Sequence, residues 1–155
     1  MKWITRENAR VDRIACPWLI RKFVDPDATF IFAPKDRVME EAERTGAIPF
    51  DVPGAELYHY RVEGREFVSF DAIIRKYKLE DAPLHELAKI VRGADASLED
   101  TPPESPGLEA AAIGFSRTSG DDFENMRRQF PLYDALYEYC RLKVSDGNVL
   151  KHSLR

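Results

Sequence analysis

The sequence predicts an α+β fold in a single domain, with a small sheet in the amino-terminal half packed with a helical layer from the carboxyl-terminal half. Three observations predict it. Short apolar runs bounded by turn residues gather before Ser69, and helix-periodic segments dominate after Phe70. The 155 residues are 44% hydrophobic and 32% charged, ordinary usage for a soluble globular chain. A chain of this length buries roughly 70% of its unfolded surface, enough for a core without staples. A metal here is therefore expected to serve function rather than folding.

Trp3 to Thr5 reads as the first strand. Val11 to Val24 follows, with Ile14, Trp18, Leu19 and Phe23 at helical spacing. Pro17 leaves two readings of that segment. The simpler starts a helix at Pro17 with Cys16 as its cap, and the other runs a kinked helix from Asp12. Thr29 to Ala33 reads as a buried strand, and Asp36 to Arg44 as a helix stopped by Gly46. Ile48 to Phe50 and Leu57 to Val62 are further short strands, the second turning at Glu63-Gly64 into Glu66 to Ser69 as a hairpin.

Beyond Phe70 the expected helices are Asp71 to Tyr77, Ala82 to Arg92, Leu108 to Ser116, and Asp121 to Lys143 interrupted at Pro131. Asp81 caps the second, with Pro83 in its first turn. In the last, Leu132, Leu136 and Tyr139 and also Tyr133, Tyr137 and Cys140 recur at helical spacing, which predicts core. Gly93 to Gly107, with Pro102, Pro103 and Pro106, is the one long loop expected. Residues 1–145 are expected to form the domain and 146–155 a polar, frayed tail.

The formal charge of −4, from 23 Lys and Arg against 27 Asp and Glu, opposes phosphate backbones and anionic membranes. No nucleic-acid or membrane partner is expected. Apolar runs such as Ile14 to Ile20 fall well short of the roughly 18 residues of a membrane helix. The amino end alternates charge with apolarity where a secretory signal would be uninterrupted, so a cytoplasmic location is expected. Cys16 and Cys140 form no CxxC pair, as free thiols in a reducing compartment would not.

Phosphate-binding, dinucleotide, zinc-protease, nucleophile-elbow and EF-hand signatures are all absent. Two constellations remain. If Pro17 opens a helix, the Cys16 sulfur sits at the positive end of its dipole, with Arg10 and Arg13 nearby, and a reactive thiolate is expected. The alternative for Cys16 is a buried, inert cysteine. Arg10 and Arg13 also offer planar donors for a small oxyanion. The second constellation is Glu56 and His59, followed by Asp71 and Asp95. One imidazole and three carboxylates are donors that Fe(II), Mn(II) or Zn(II) accept, and three ligands leave a position open for chemistry or sensing. On its own, His59 also reads as a structural histidine bonded to backbone. Two further histidines are set aside, His85 as a helix-surface residue and His152 as part of the tail, and Asp121 to Glu124 reads as a helix cap.

Several stretches in order, Val11 to Phe23 (VDRIACPWLIRKF), Gly46 to Gly54 (GAIPFDVPG), Ser69-Phe70-Asp71, Ile90 to Asp95 (IVRGAD) and Leu132 to Tyr137 (LYDALY), resemble the chromate-resistance protein family. That family supplies the carboxyl-terminal half of ChrB-type chromate-responsive proteins, and the similarity runs from Trp3 to about Arg141. The resemblance implies a role in limiting or sensing chromate, with a regulatory or sulfurtransferase-type protein as partner. It also implies that DNA contacts in the longer regulators belong to a separate amino-terminal domain. Against the family pattern, Tyr60 stands where a second histidine is common, Phe123 where another is usual, and Val68 where a cysteine often lies.

The leading expectation is a cytoplasmic chromate or oxidative-stress resistance domain binding a divalent transition metal (Fe, Mn or Zn). His59 would supply nitrogen, Glu56 and Asp71 carboxylates, and Asp95 a fourth ligand or an orienting group. A Cys16-dependent reductase or sulfur-transfer enzyme is one alternative, and a non-catalytic sensing or interaction domain is the other.

Overall fold

Trp3, Ile4 and Thr5 are all buried, so the first strand is covered on both faces, as a strand in the middle of a parallel sheet must be. The computed structural model, which describes residues 1–96 and 100–145, has five strands and six α-helices among those residues. Strand β1 (Lys2–Arg6) pairs in parallel with β2 (Thr29–Ala33) and with β3 (Ile48–Pro49), in the order β2-β1-β3. Parallel neighbours require crossovers. Helix α1 (Asp12–Leu19), continued by a π-helical turn (Ile20–Val24), makes the first, and α2 (Val38–Thr45) makes the second.

Side-chain alternation along β1 sorts the core into two layers. Ile4 packs with Ala33, Val38, Ala42, Ala47 and Val52 beneath α2. Trp3 packs on the other face with Phe30, Phe50 and the apolar side of α1. The chain leaves β1 to one side and returns on the other, which makes the β1/β3 border a topological switch point, the place where open α/β sheets bind ligands beyond their carboxyl ends.

A second small sheet, β4 (Tyr60–Val62) with β5 (Arg65–Phe67), closes through Glu63 and Gly64 at φ 50° and 78°, the left-handed pair that a tight hairpin requires. Helices α3 (Ser69–Lys76), α4 (Ala82–Asp95), α5 (Ser105–Thr118) and α6 (Asp122–Ser145) form the helical layer, with α1 packed against α3, α4 and α6. Tyr133 and Cys140 on α6 are fully buried, as their spacing predicts. Among the described residues no helix is long and apolar enough to cross a membrane.

The structure decides between the two readings at Pro17, in favour of the helix that starts at Asp12, and corrects the expectation at Pro131. Helix α1 begins at Asp12 and not at Pro17, because the Val11 carbonyl already accepts from the N–H groups of Ile14 and Ala15 at 3.1 and 2.8 Å. By Pro17 the helix is more than a turn long, and the proline removes one bond from an established ladder. Downstream, Asp25 N–H bonds the Ile20 carbonyl five residues back at 2.7 Å and closes the π-turn. Helix α6 likewise runs through Pro131 without interruption.

The long loop is also shorter than the sequence predicts. Helix α4 continues to Asp95 and α5 starts at Ser105 with Pro106 in its first turn, a position proline favours. Residues 97–99 of that loop and the expected tail 146–155 lie outside the described residues.

Candidate metal centre

Four segments deliver acidic or imidazole side chains to one spot beyond the carboxyl ends of β1 and β3. Asp12 opens α1, Asp51 follows β3, His59 precedes β4, and Asp95 closes α4. Asp51 sits in the left-handed region at φ 54°, a conformation aspartate tolerates better than most residues. Its N–H donates to the Leu57 carbonyl at 2.9 Å, which pinches the intervening loop and sets His59 opposite Asp51.

The result is a convergence upon one nitrogen. His59 Nε2 lies 3.6 Å from Asp12 Oδ2, 3.3 Å from Asp51 Oδ1 and 3.4 Å from Asp95 Oδ2. One N–H points at one acceptor at about 2.9 Å; three acceptors at these longer separations surround the nitrogen without any of them making a good hydrogen bond. Donors held about 2.1 Å from a common ion are about 3.0–3.4 Å apart, the edge of its coordination polyhedron. Single ligand atoms of Asp12, His59 and Asp95 all lie within 4.8 Å of one another. Asp12, His59 and Asp95 are the three that could hold a metal ion.

Neighbouring groups fix the carboxylates. Asp12 is buried, and its Oδ2 accepts the Ser69 N–H at 2.8 Å while Oδ1 accepts the Cys16 thiol at 3.7 Å. The Ser69 hydroxyl donates to Asp51 Oδ1 at 2.8 Å, and Arg13 reaches Asp51 Oδ2 at 3.6 Å. Such outer partners orient ligands. Electrostatics follow from three acids around one base. Burial, reinforced by the charge of Asp95, pushes Asp12 well above the usual carboxylate range. The acids, Asp12 foremost, push His59 up to about 12, so the imidazolium is the cation that the three carboxylates surround.

Of the four residues expected from sequence, the structure brings together His59 and Asp95. The other two sit elsewhere. Asp71 accepts from Arg92 Nε at 3.0 Å and Nη2 at 2.7 Å and from the Val68 N–H at 3.0 Å, a saturated clamp between α3 and α4. Glu56 is at the surface with its carboxylate on Lys76 Nζ at 2.6 Å. Asp12 and Asp51 stand beside His59 instead, two residues for which the sequence reading expected no such role. Both lie inside stretches that carry the family resemblance, and that was the available signal.

Cys16 occupies the middle of α1, not its amino terminus, and is fully buried. Burial, then the charges of Asp12, Asp51 and Asp95, push its thiol up, the opposite of what a nucleophilic thiolate needs. The folded protein is expected to alkylate at Cys16 far more slowly than a free thiol at pH 8.5, with full reactivity only after denaturation; a folded-state rate equal to that of free cysteine would contradict this burial. Of the two arginines, Arg13 joins the cluster through Asp51, and Arg10 is exposed on the rim of an adjoining cleft.

Comparison with known proteins places the chain. A profile described as "ChrB, C-terminal domain" matches residues 3–140. The chain belongs to the ChrB carboxyl-terminal-domain family. "Protein ChrB" of Cupriavidus metallidurans (strain ATCC 43123 / DSM 2839 / NBRC 102507 / CH34) is 32% identical over 140 residues, covering 89% of this chain and 40% of that protein. The chain thus spans about two fifths of that ChrB relative. No solved structure matches. Within this ChrB-type domain, Asp12, Asp51, His59 and Asp95 gather without Glu56, Asp71, or the histidines for which Tyr60 and Phe123 stand. Tyr60 stacks on Phe67 under Arg75, and Phe123 packs edge-on to Phe32, both outside the cluster.

Proposed function

We propose that the chain is a cytoplasmic domain of a chromate or oxidative-stress response that binds one divalent transition metal, Fe, Mn or Zn, through Asp12, His59 and Asp95. The observation that carries this reading is the gathering of three carboxylates, one fully buried, around a single imidazole nitrogen. Burying like charges side by side is costly unless a cation repays it, and arrangements of this kind mark functional sites. Membership of the ChrB family supports the link to chromate. Two buried, unpaired cysteines agree with a reducing compartment. When bound, the metal would supply a Lewis-acidic centre with coordination positions left open. In the protein itself, Ser69 and Arg13 hold the acids in place and His59 yields a proton to let the ion in.

That exchange gives a test. Metal must displace the His59 proton and any proton the buried Asp12 carboxyl holds, so binding at neutral pH is expected to release at least about one proton per ion. The apparent affinity is then expected to rise at least about tenfold per pH unit from about pH 6 to about pH 8. Calorimetric titration with Mn(II) in two buffers of different ionisation enthalpy reads the proton count. A pH-independent affinity with no proton released contradicts the reading. For the metal-free fold the sign is opposite. A raised histidine stabilises fully below its ordinary value of about 6.5, and its contribution declines as pH climbs toward about 12.

A further inference from the structure

Beside the metal centre lies a larger cleft whose chemistry the metal reading does not use. It has a volume of about 780 Å³ and is walled by Arg6, Arg10, Arg13, Lys35 and Arg117, with Glu7 as its one acid. Arg6, Arg10, Lys35 and Arg117 make no ion pair among the described residues. Such a concentration of unneutralised cations in a chain of net charge −4 focuses an attractive field for anions in one concavity.

The cleft is also a built feature. Its floor is the β1–α1 loop, which Asp122 holds by accepting the N–H groups of Asn8 and Ala9 at 2.9 and 2.7 Å. Asn125 Nδ2 donates to the Ala9 carbonyl at 3.0 Å, and Arg13 Nη2 to that of Asn8 at 3.0 Å. Like the metal centre, it opens at the carboxyl ends of β1 and β2, where this sheet topology places ligands.

A second cavity of about 220 Å³ shares Arg6, Arg13 and Lys35 with the cleft and is lined further in by Asp51, Tyr58, His59 and Asp95. Tyr58 stacks on His59 with ring centroids 5.0 Å apart, giving that cavity an aromatic wall. A single tetrahedral anion would leave most of this space and charge unused, since cavities of several hundred Å³ suit drug-sized molecules. Arginine forks match phosphate oxygens two at a time.

We infer that the cleft binds a multiply charged organic phosphate, with its phosphates on the arginines and one end reaching toward the Asp12, His59 and Asp95 centre. Binding in the cleft stands without a metal; only the reach toward the centre rests on the function proposed above.

The test is calorimetric titration of inorganic pyrophosphate and of ADP into metal-free and Mn(II)-loaded protein, with sulfate and a short DNA duplex as comparisons. Pyrophosphate and ADP are expected to bind at least about tenfold more tightly than sulfate. Arg10→Glu and Arg117→Glu, both at exposed positions, are each expected to weaken that binding about tenfold while Mn(II) binding is retained. Tighter binding to the Mn(II)-loaded protein supports the reach toward the metal, and equal binding removes it. Equal affinities for sulfate and pyrophosphate, indifference to both substitutions, or a preference for duplex DNA would each overturn the inference. Pyrophosphate binding in a protein that takes up none of Fe(II), Mn(II) and Zn(II) would overturn the metal reading and leave the cleft standing.

Discussion

Asp12→Ala is expected to abolish metal binding and to lower stability by about 2 kcal/mol, a fall of about 4–8 °C in Tm for a domain of this size. Two roles meet in this carboxylate. It is a metal ligand by position, and it also accepts the buried Ser69 N–H that opens α3. Alanine leaves that donor unsatisfied, which costs about 1–3 kcal/mol. Part of the loss is offset because a buried acid beside Asp51 and Asp95 is removed. Asp12→Asn separates the roles, since its amide oxygen still accepts from Ser69 while the charge is gone. Most of the stability is expected to return and the metal is not. Thermal melts with metal titrations of the two variants check this, and metal binding by Asp12→Asn at wild-type affinity would contradict it.

Gly93→Ala is expected to destabilise the fold by about 2 kcal/mol, although alanine ordinarily gains about 1 kcal/mol over glycine inside a helix. A methyl at this position would lie 2.5 Å from Ser105 Oγ and 2.8 Å from Thr101 Cγ2. The Ser105 hydroxyl has little freedom to retreat, because it is buried and donates to the Ile90 carbonyl at 2.8 Å. Helices α4 and α5 must part, and Asp95, two residues beyond Gly93, moves with α4. Weaker metal binding is therefore expected along with the lower Tm. Gly114 on α5 is the control, with nothing within 4 Å of an added Cβ. Gly114→Ala is expected to raise stability by up to about 1 kcal/mol. If the two substitutions shifted Tm alike, the close approach at Gly93 would carry no energetic weight.

Much of the architecture was legible in local patterns. The apolar runs at Trp3 to Thr5 and Thr29 to Ala33, the Gly46 stop of α2 and the Glu63-Gly64 turn depend on neighbours in sequence, and each is found where it was expected. Pro17 and Pro131 misled because the local rule sees a missing N–H, whereas Trp18, Leu19 and Tyr133 bury enough surface to hold the helices through it. The site was half legible. His59 and Asp95 stand out by residue type. Glu56 and Asp71 do so equally, but Lys76 and Arg92 engage them, and those pairings appear only when α3 and α4 pack. Asp12 and Asp51 join the cluster because the β2-β1-β3 order places the loops after β1 and β3 side by side, which depends on long-range topology.

Metal content decides whether the Asp12, His59 and Asp95 cluster is a metal site. Protein purified without chelator, supplied in turn with Fe(II), Mn(II) and Zn(II) and desalted, is to be measured by elemental analysis beside His59→Ala. About one ion per chain of at least one metal is expected in the wild type, and its loss in the variant. A wild-type chain that retains none of the three, or a variant that retains as much as the wild type, would contradict it.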